Sequence, residues 1–411
     1  MKFNPVLLIA ALLIITIPTL AQKTYFIKYK SNVPINVVES NVSQKILSKN
    51  LGDAPLALPT YEVNYLAKGL GRGDEVLGRI VKVQFSENVD EANINSIFIN
   101  DPDIEYIQKS NTYQLDFVPN DSLLSQQWAL EKIKAFDAWN ITQGLKSVIV
   151  AVIDMGMDYN HIDLKNNIFQ NNGEIGIDNL GRDKRSNGVD DDDNGFIDDF
   201  RGWDFTDRVG FPFDSTSGDY LGWDNDPYDD SKSSLASGHG TQVGGVIAAE
   251  SNNLFGISGA APNVTLLNIR AFDPSGDGEE DDAAAAILYA IRMGAEVINM
   301  SWGDYSFSFV LRDVIRYAYS QNVILVASAG NQNSSQQHYP SGYSEVISVS
   351  GSTQEDFIAG FNWGPTIDLV APGVSILTTD LNSKYSLKAG TSFSAPFVSA
   401  TAALILSLIH I

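Results

Sequence analysis

Val150-Ala151-Val152-Ile153-Asp154-Met155-Gly156 is a run of Val, Ile and Ala that ends abruptly on a carboxylate and, two residues on, a glycine. No polar residue interrupts the apolar part, so neither face alternates with solvent. A strand of that kind is buried on both sides, as in a parallel sheet covered by helices. The run starts at Ser147, and similar stretches rich in Val and Ile follow at Val264 to Ile269, Glu296 to Met300, Val323 to Ala327 and Val346 to Val349. Between them Asp281 to Met293, Phe309 to Ser320 and the stretch from Thr241 carry helical period. Strand and helix in alternation predict an α/β domain with a doubly wound, mainly parallel sheet over residues 128–411. Its functional site is expected at the carboxyl ends of the strands.

Upstream the pattern changes. Lys2, the apolar run Val6 to Ile17 and the small residues of Thr19-Leu20-Ala21 read as a cleaved signal peptide over residues 1–21, and hence as export. The apolar run is short for a bilayer span; a retained anchor is the alternative. Residues 22–115 combine strand-like Tyr25 to Tyr29, Ile80 to Phe85 and Ile104 to Ile107 with a helix-like Val89 to Phe98, which predicts a small α+β domain. Leu51 to Gly73 reads as loop, and residues 116–127, with Pro119-Asn120-Asp121, as a linker. With no cysteine in the 411 residues, an exported chain has packing and metal ions, not disulfides, to stabilise it.

Fifty Asp and Glu against 27 Lys and Arg give a net charge of −23, which argues against a nucleic-acid partner. The acidity concentrates in an Asp- and Gly-rich insert, residues 171–234. There Asp190, Asp192, Asn194 and Asp198 fall at positions 1, 3, 5 and 9 of a calcium-loop spacing, with Gly195 at position 6. Position 12 is Arg201, so a true EF-hand is not expected and the shell needs other oxygens, such as Asp199. Asp226, in the cluster Asp224, Asp226, Asp229 and Asp230, is a further candidate ligand. The alternative for the whole insert is a solvated acidic surface.

Four histidines limit the search for an imidazole base: His161, His239, His338 and His410. His239, between Gly238 and Gly240, opens an apolar helical run, although Gly-His-Gly is also a plain turn. Asp154 stands at the carboxyl end of a buried strand, where capping the next turn is the structural alternative. Ser392, in Gly390-Thr391-Ser392-Phe393-Ser394-Ala395-Pro396, falls just before a long apolar helix. It is either an N-cap or a nucleophile placed where the helix end favours negative charge. Asn331 follows a strand in Ala329-Gly330-Asn331 and reads as a turn residue or an oxyanion donor.

Together these four motifs resemble the subtilisin-like serine protease family, the subtilases, in which Asp, His and Ser come in that chain order. The resemblance runs from about Gln127 to the end. It implies a secreted, monomeric endopeptidase, with some scope for attachment to the cell envelope. Ser392 would be the nucleophile, His239 the base, Asp154 its orienting partner and Asn331 an oxyanion donor. Ser301-Trp302-Gly303 would pair with extended substrate backbone, and Ala329-Gly330 would border the main pocket. No acid sits in those stretches or in His338-Tyr339-Pro340, so an apolar side chain is expected there, not Lys or Arg. Residues 22–115 would be an inhibitory propeptide, released by self-cleavage between Asn111 and Asn120, and calcium a structural cofactor. Gln242, Gly244, Phe393 and Phe397 depart from the family's usual residues, touching packing and specificity. His161 matches a structural turn of the family. A catalytically inactive relative binding calcium or peptide is the second reading. The helix after Ser392 reaches Ile411 with no Gly or Pro stop, where subtilases continue, so a truncated and poorly folding chain is expected.

Overall fold

A computed structural model describes residues 22–48, 62–65, 77–86, 90–111, 117–207, 222–231 and 236–410. The signal segment 1–21, most of the Leu51 to Gly73 loop, residues 112–116 and parts of the acidic insert lie outside the described residues. The chain divides between residues 114 and 115 into two compact units.

The smaller unit runs β1 (Gln22–Tyr29), α1 (Ile35–Ser48), β2 (Glu62–Tyr65), β3 (Ile80–Ser86), α2 (Glu91–Phe98) and β4 (Ile104–Lys109). Its strands form an antiparallel sheet in the order β2-β3-β1-β4. Tyr25, Ile27 and Tyr29 alternate inward from β1, as Val81, Val83 and Phe85 do from β3. Val38, Val42 and Ile46, spaced one helical turn apart on α1, cover that face together with Ile94, Ile97 and Phe98 around α2. Helix α1 was not expected, because Val37, Val38 and Val42 are separated by Glu, Ser and Asn with little propensity to mark it. Strand β2 lies inside the stretch read as loop.

In the larger unit two short helices, α3 (Trp128–Lys132) and α4 (Ala135–Trp139), precede β5 (Ile149–Asp154) and β6 (Gly202–Asp204). Then come α5 (His239–Ala248), β7 (Thr265–Arg270), α6 (Glu280–Arg292), β8 (Val297–Met300), α7 (Phe309–Ser320), β9 (Ile324–Ser328), β10 (Val346–Ser352) and β11 (Leu369–Pro372). A hairpin, β12 (Ile376–Asp380) with β13 (Lys384–Lys388), leads to α8 (Ala395–Ile409). The large sheet has the order β11-β10-β9-β8-β5-β7-β6, and every pairing in it is parallel.

Alternate residues of β5 enter different cores. Val150 and Val152 pack with Val243, Val246 and Ile247 of α5 and with Phe397, Ala400 and Ala403 of α8. Ala151 and Ile153 pack with Ile287 and Ala290 of α6 and Leu311 and Ile315 of α7. Both faces of the sheet are therefore covered, which is why its strands carry no polar alternation. The domain is a doubly wound α/β fold. Chain order places β7 on one side of β5 and β8 on the other, so loops leaving the carboxyl ends of neighbouring strands part there and open a crevice. Asp154 closes β5, Ser301 follows β8, and Ala329 to Asn331 follow β9.

Candidate active site

Asp154 is almost wholly buried, and both its oxygens face His239 Nδ1, at 2.8 and 2.9 Å. Its Oδ1 also accepts the Met155 N–H at 2.9 Å, a second hold on the carboxylate. His239 is the first residue of α5, and the helix start can approach β5 this closely because the next residue is glycine. A Cβ on Gly240 would lie 2.2 Å from the Gly156 carbonyl oxygen and 3.1 Å from Asp154 Cβ. Gly240→Ala is thus expected to cost about 1–3 kcal/mol, read as a lower urea midpoint, because the atom met is backbone and cannot rotate away. An unchanged midpoint would refute this account of the close approach.

Burial alone would push the His239 imidazole down; the charge of Asp154 and its hydrogen bond reverse this, and the pKa is raised above the usual 6.5. With Nδ1 held by the carboxylate, Nε2 is the nitrogen free to take a proton, and it has no hydrogen-bond partner among the described residues.

Ser392 sits half-buried in a single 3-10 turn, Thr391–Phe393, directly before α8. Its Oγ donates to the Ser301 carbonyl at 3.2 Å. The turn is held from two sides. Thr391 donates its N–H and hydroxyl to Asn331 Oδ1, at 2.9 and 3.0 Å, and its Oγ1 accepts the Gly330 N–H at 3.1 Å. Asn331 is exposed, and its engaged carbonyl leaves Nδ2 as a free donor beside the serine turn. From below, Ser399 Oγ donates to Asn299 Oδ1, Asn299 Nδ2 to Ser301 Oγ, and Ser301 Oγ to the Ser392 carbonyl, at 2.8, 2.9 and 2.8 Å. Asn299 and Ser399 are fully buried, and sequence reading missed both. The one available signal was a polar residue inside the otherwise apolar run Val297–Met300.

A cavity of about 230 Å³ opens over the pair, lined by Asp154, His239, Phe272, Ser301, Trp302 and Gly303 among others. A larger one, about 550 Å³, shares Phe272, Trp302 and Gly303 and extends past Phe307, Leu311 and Tyr339. Trp302 is anchored by its indole N–H to the Ile153 carbonyl at 2.9 Å. Ala329 and Gly330 are buried and line neither cavity.

Several of the acidic residues hold the backbone and side chains of their own loop. Asp190 accepts the N–H groups of Asn194 and Gly195, at 3.1 and 2.7 Å, and Asp198 that of Gly188. Asn194 caps Phe196 N–H and donates to Asp199, while Asp226 accepts the Tyr159 hydroxyl at 2.7 Å. Asp192 and Asp199 do come together, joined by Glu174, which the spacing did not include. Their carboxylate oxygens lie within 4.8 Å of one another, a group able to hold a metal ion.

Residues 145–410 match the Subtilase family. The chain is 34% identical over 310 residues to the thermophilic serine proteinase of Bacillus sp. (strain AK1), covering 75% of this chain and 64% of that relative. It is 32% identical over 338 residues to the halolysin-like extracellular serine protease Nep of Natrialba magadii, covering 81% of this chain and 54% of that one. The chain therefore spans less than two thirds of the length of either relative. Among solved structures, the proteases of Pseudoalteromonas arctica PAMC 21717 are similar, with a TM-score of 0.57 and 26% identity over 70% of this chain and 87% of that chain.

Proposed function

The chain belongs to the subtilase family, and from that premise we propose that it is a secreted serine endopeptidase acting on proteins through an acyl-enzyme intermediate. The observation that carries this reading is the imidazole of His239, held at Nδ1 by both oxygens of a buried aspartate at the carboxyl edge of the sheet. Asp154 fixes the tautomer with the proton on Nδ1, so Nε2 serves as base. Ser392 Oγ leaves its 3.2 Å bond to Ser301, gives its proton to Nε2 and attacks the scissile carbonyl. Asn331 Nδ2 and the Ser392 N–H donate to the developing oxyanion. His239 then returns the proton to the leaving amine, and water, activated by the same nitrogen, hydrolyses the ester.

Substrate backbone lies extended along Ser301 to Gly303. The larger cavity is lined by Phe272, Trp302, Phe307, Leu311 and Tyr339 but also by Asp277, Glu279, Glu280 and Asp304, so its lining accepts a basic side chain as well as an apolar one and does not support the apolar preference expected from the sequence. Residues 22–115 act as an intramolecular inhibitory propeptide, cut between Asn111 and Asn120, and the mature enzyme is a monomer. Lys2 with its following apolar run, and a relative whose name describes it as extracellular, support export. Calcium is the structural ion, carried by the acidic insert.

A fluorophosphonate probe is the direct test. Peptide mapping should find the adduct on Ser392 alone, with labelling that rises from pH 5 to pH 8 as His239 loses its proton. Folded mature protein that takes up no probe would favour an inactive relative that binds peptide or calcium.

A further inference from the structure

Asp229 is 2% exposed, and the acyl-transfer chemistry does not use it. Its Oδ2 accepts the Gly238 N–H at 2.7 Å. Its Oδ1 accepts the Ser231 N–H at 3.1 Å and also the Ser231 hydroxyl. Ser231 Oγ lies 2.8 Å from Ser237 Oγ, and Ser237 Oγ donates to the Ser231 carbonyl at 3.2 Å. One buried carboxylate thus closes the loop that ends immediately before His239. Gly238, the N-cap of α5, has a φ of +82° and no side chain to cap the helix. A Cβ there would stand 2.6 Å from Asp380 Oδ1, so the position suits glycine alone. Glycine has the most conformational freedom of any residue, and a histidine directly after it is loosely seated unless that glycine is held from outside.

A neutral side chain could accept the same N–H groups, and burying a carboxylate instead costs free energy. Burial pushes the Asp229 pKa up, and Ser231, Gly238 and the charge of Arg270 offset only part of this. Arg270, buried on β7, is shared with Asp204 and Asp230 at 3.2 and 3.4 Å. What a carboxylate adds over an amide is negative charge near His239. The charged groups around the imidazole are Asp154 at the end of β5, Asp229, and Lys388 on β13, itself 3.7 Å from Asp380. After burial and Asp154, Asp229 raises the His239 pKa and Lys388 lowers it. We propose that Asp229 is a positioning residue, which through the Gly238 N–H seats the turn from which His239 reaches Asp154. Asp154 orients the ring; Asp229 orients the backbone that carries it and adds to the negative charge facing the imidazolium. The catalytic consequence rests on the peptidase reading, whereas the effect on His239 does not.

The first test therefore needs no activity. In the full chain carrying Ser392→Ala, which cannot digest itself, the His239 ring is titrated by NMR and assigned against His239→Gln. Asp229→Asn, whose amide oxygen can still accept the Gly238 N–H, should lower the His239 pKa by about 0.3 unit or more, while Lys388→Met should raise it. Asp229→Ala should lower it too, and weaken the low-field signal of the Nδ1 proton shared with Asp154. The second test is kinetic, with Ser392 intact and rates referred to sites titrated by the fluorophosphonate probe. Asp229→Ala should lower kcat roughly 10²-fold at unchanged KM, the size of loss expected when a catalytic group is displaced. Asp229→Asn should lower kcat less and move the acid limb of kcat/KM down. A His239 titration unmoved in both Asp229 variants would overturn the inference, as would shifts of the same sign in Asp229→Asn and Lys388→Met. So would full kcat per titrated site in Asp229→Ala, the mark of a purely structural role. If Asp229→Ala does not fold, the Asn and Met variants decide alone. Parent protein that takes up no probe would sink the peptidase reading and leave the titration standing, so the two fail separately.

Discussion

Ser392→Ala is expected to lower kcat on an unstructured protein substrate by on the order of 10⁶, the size of loss that follows removal of the nucleophilic serine in subtilisin. The loss should come without a loss of fold. Ser392 Oγ contributes a single hydrogen bond, to the Ser301 carbonyl at 3.2 Å, on a half-buried side chain. A bond of that length and exposure is worth about 1 kcal/mol or less. The turn itself is held by other atoms: Thr391 is pinned by Asn331 and Gly330, and the Ser392 carbonyl by Ser301. The variant should therefore melt within a few degrees of the parent and keep residual turnover from the oxyanion donors. Comparing the two melting curves beside the two rates separates chemistry from stability. Activity surviving within tenfold of the parent would mean that another residue attacks the carbonyl.

How much of this was legible in the sequence follows the reach of each signal. Val150, Val152, Ala151 and Ile153 announce a strand buried on both faces because apolarity without alternation is a local pattern, and α5 and α8 on one side with α6 and α7 on the other account for it. The helices expected at Asp281 to Met293 and at Phe309 to Ser320 appear as Glu280–Arg292 and Phe309–Ser320, since an amphipathic stripe is equally local. Asp154 and His239 could be nominated from their flanking residues, but only the resemblance to the subtilases paired them. What joins them in space is the register of a sheet whose order departs from chain order, together with a glycine at position 240 that lets the helix start touch the strand end. Glu174 left no trace, because it lies outside the Asp190 to Asp198 spacing and reaches Asp192 and Asp199 only after the insert has folded. Asn299 and Ser399 were hidden for the same reason: one is the single polar residue of β8, the other one of three hydroxyl residues in α8, and neither has a visible partner until the two elements pack. Short elements such as β6 and the β12–β13 hairpin carry too few residues for a period to show.

Asp154→Asn should reduce kcat by about 10⁴, as the equivalent substitution does in another serine protease triad, and should change the pH profile in a direction set by this site. In the parent, burial pushes the His239 pKa down, while the charge of Asp154 and its hydrogen bond raise it more, so the net shift is upward from 6.5. The base must be neutral to accept the serine proton. The acid limb of kcat/KM in the parent is therefore expected above the usual histidine range. An asparagine at position 154 removes the charge and leaves the desolvation, so the limb should move to lower pH even as the plateau falls. The amide can also donate to Nδ1, which favours the wrong tautomer and explains why most of the rate is lost although the geometry persists. Stability carries the same sign. A group whose pKa is raised on folding stabilises the native state below its unfolded value and loses that contribution as pH rises through the folded value. The stability difference between parent and variant should accordingly be larger at pH 5 than at pH 9. Urea midpoints at those two pH values, set beside the kinetic profile, test both consequences. If Asp154 only filled space at the end of β5, the rate would fall with no displacement of the acid limb and with the same stability cost at either pH.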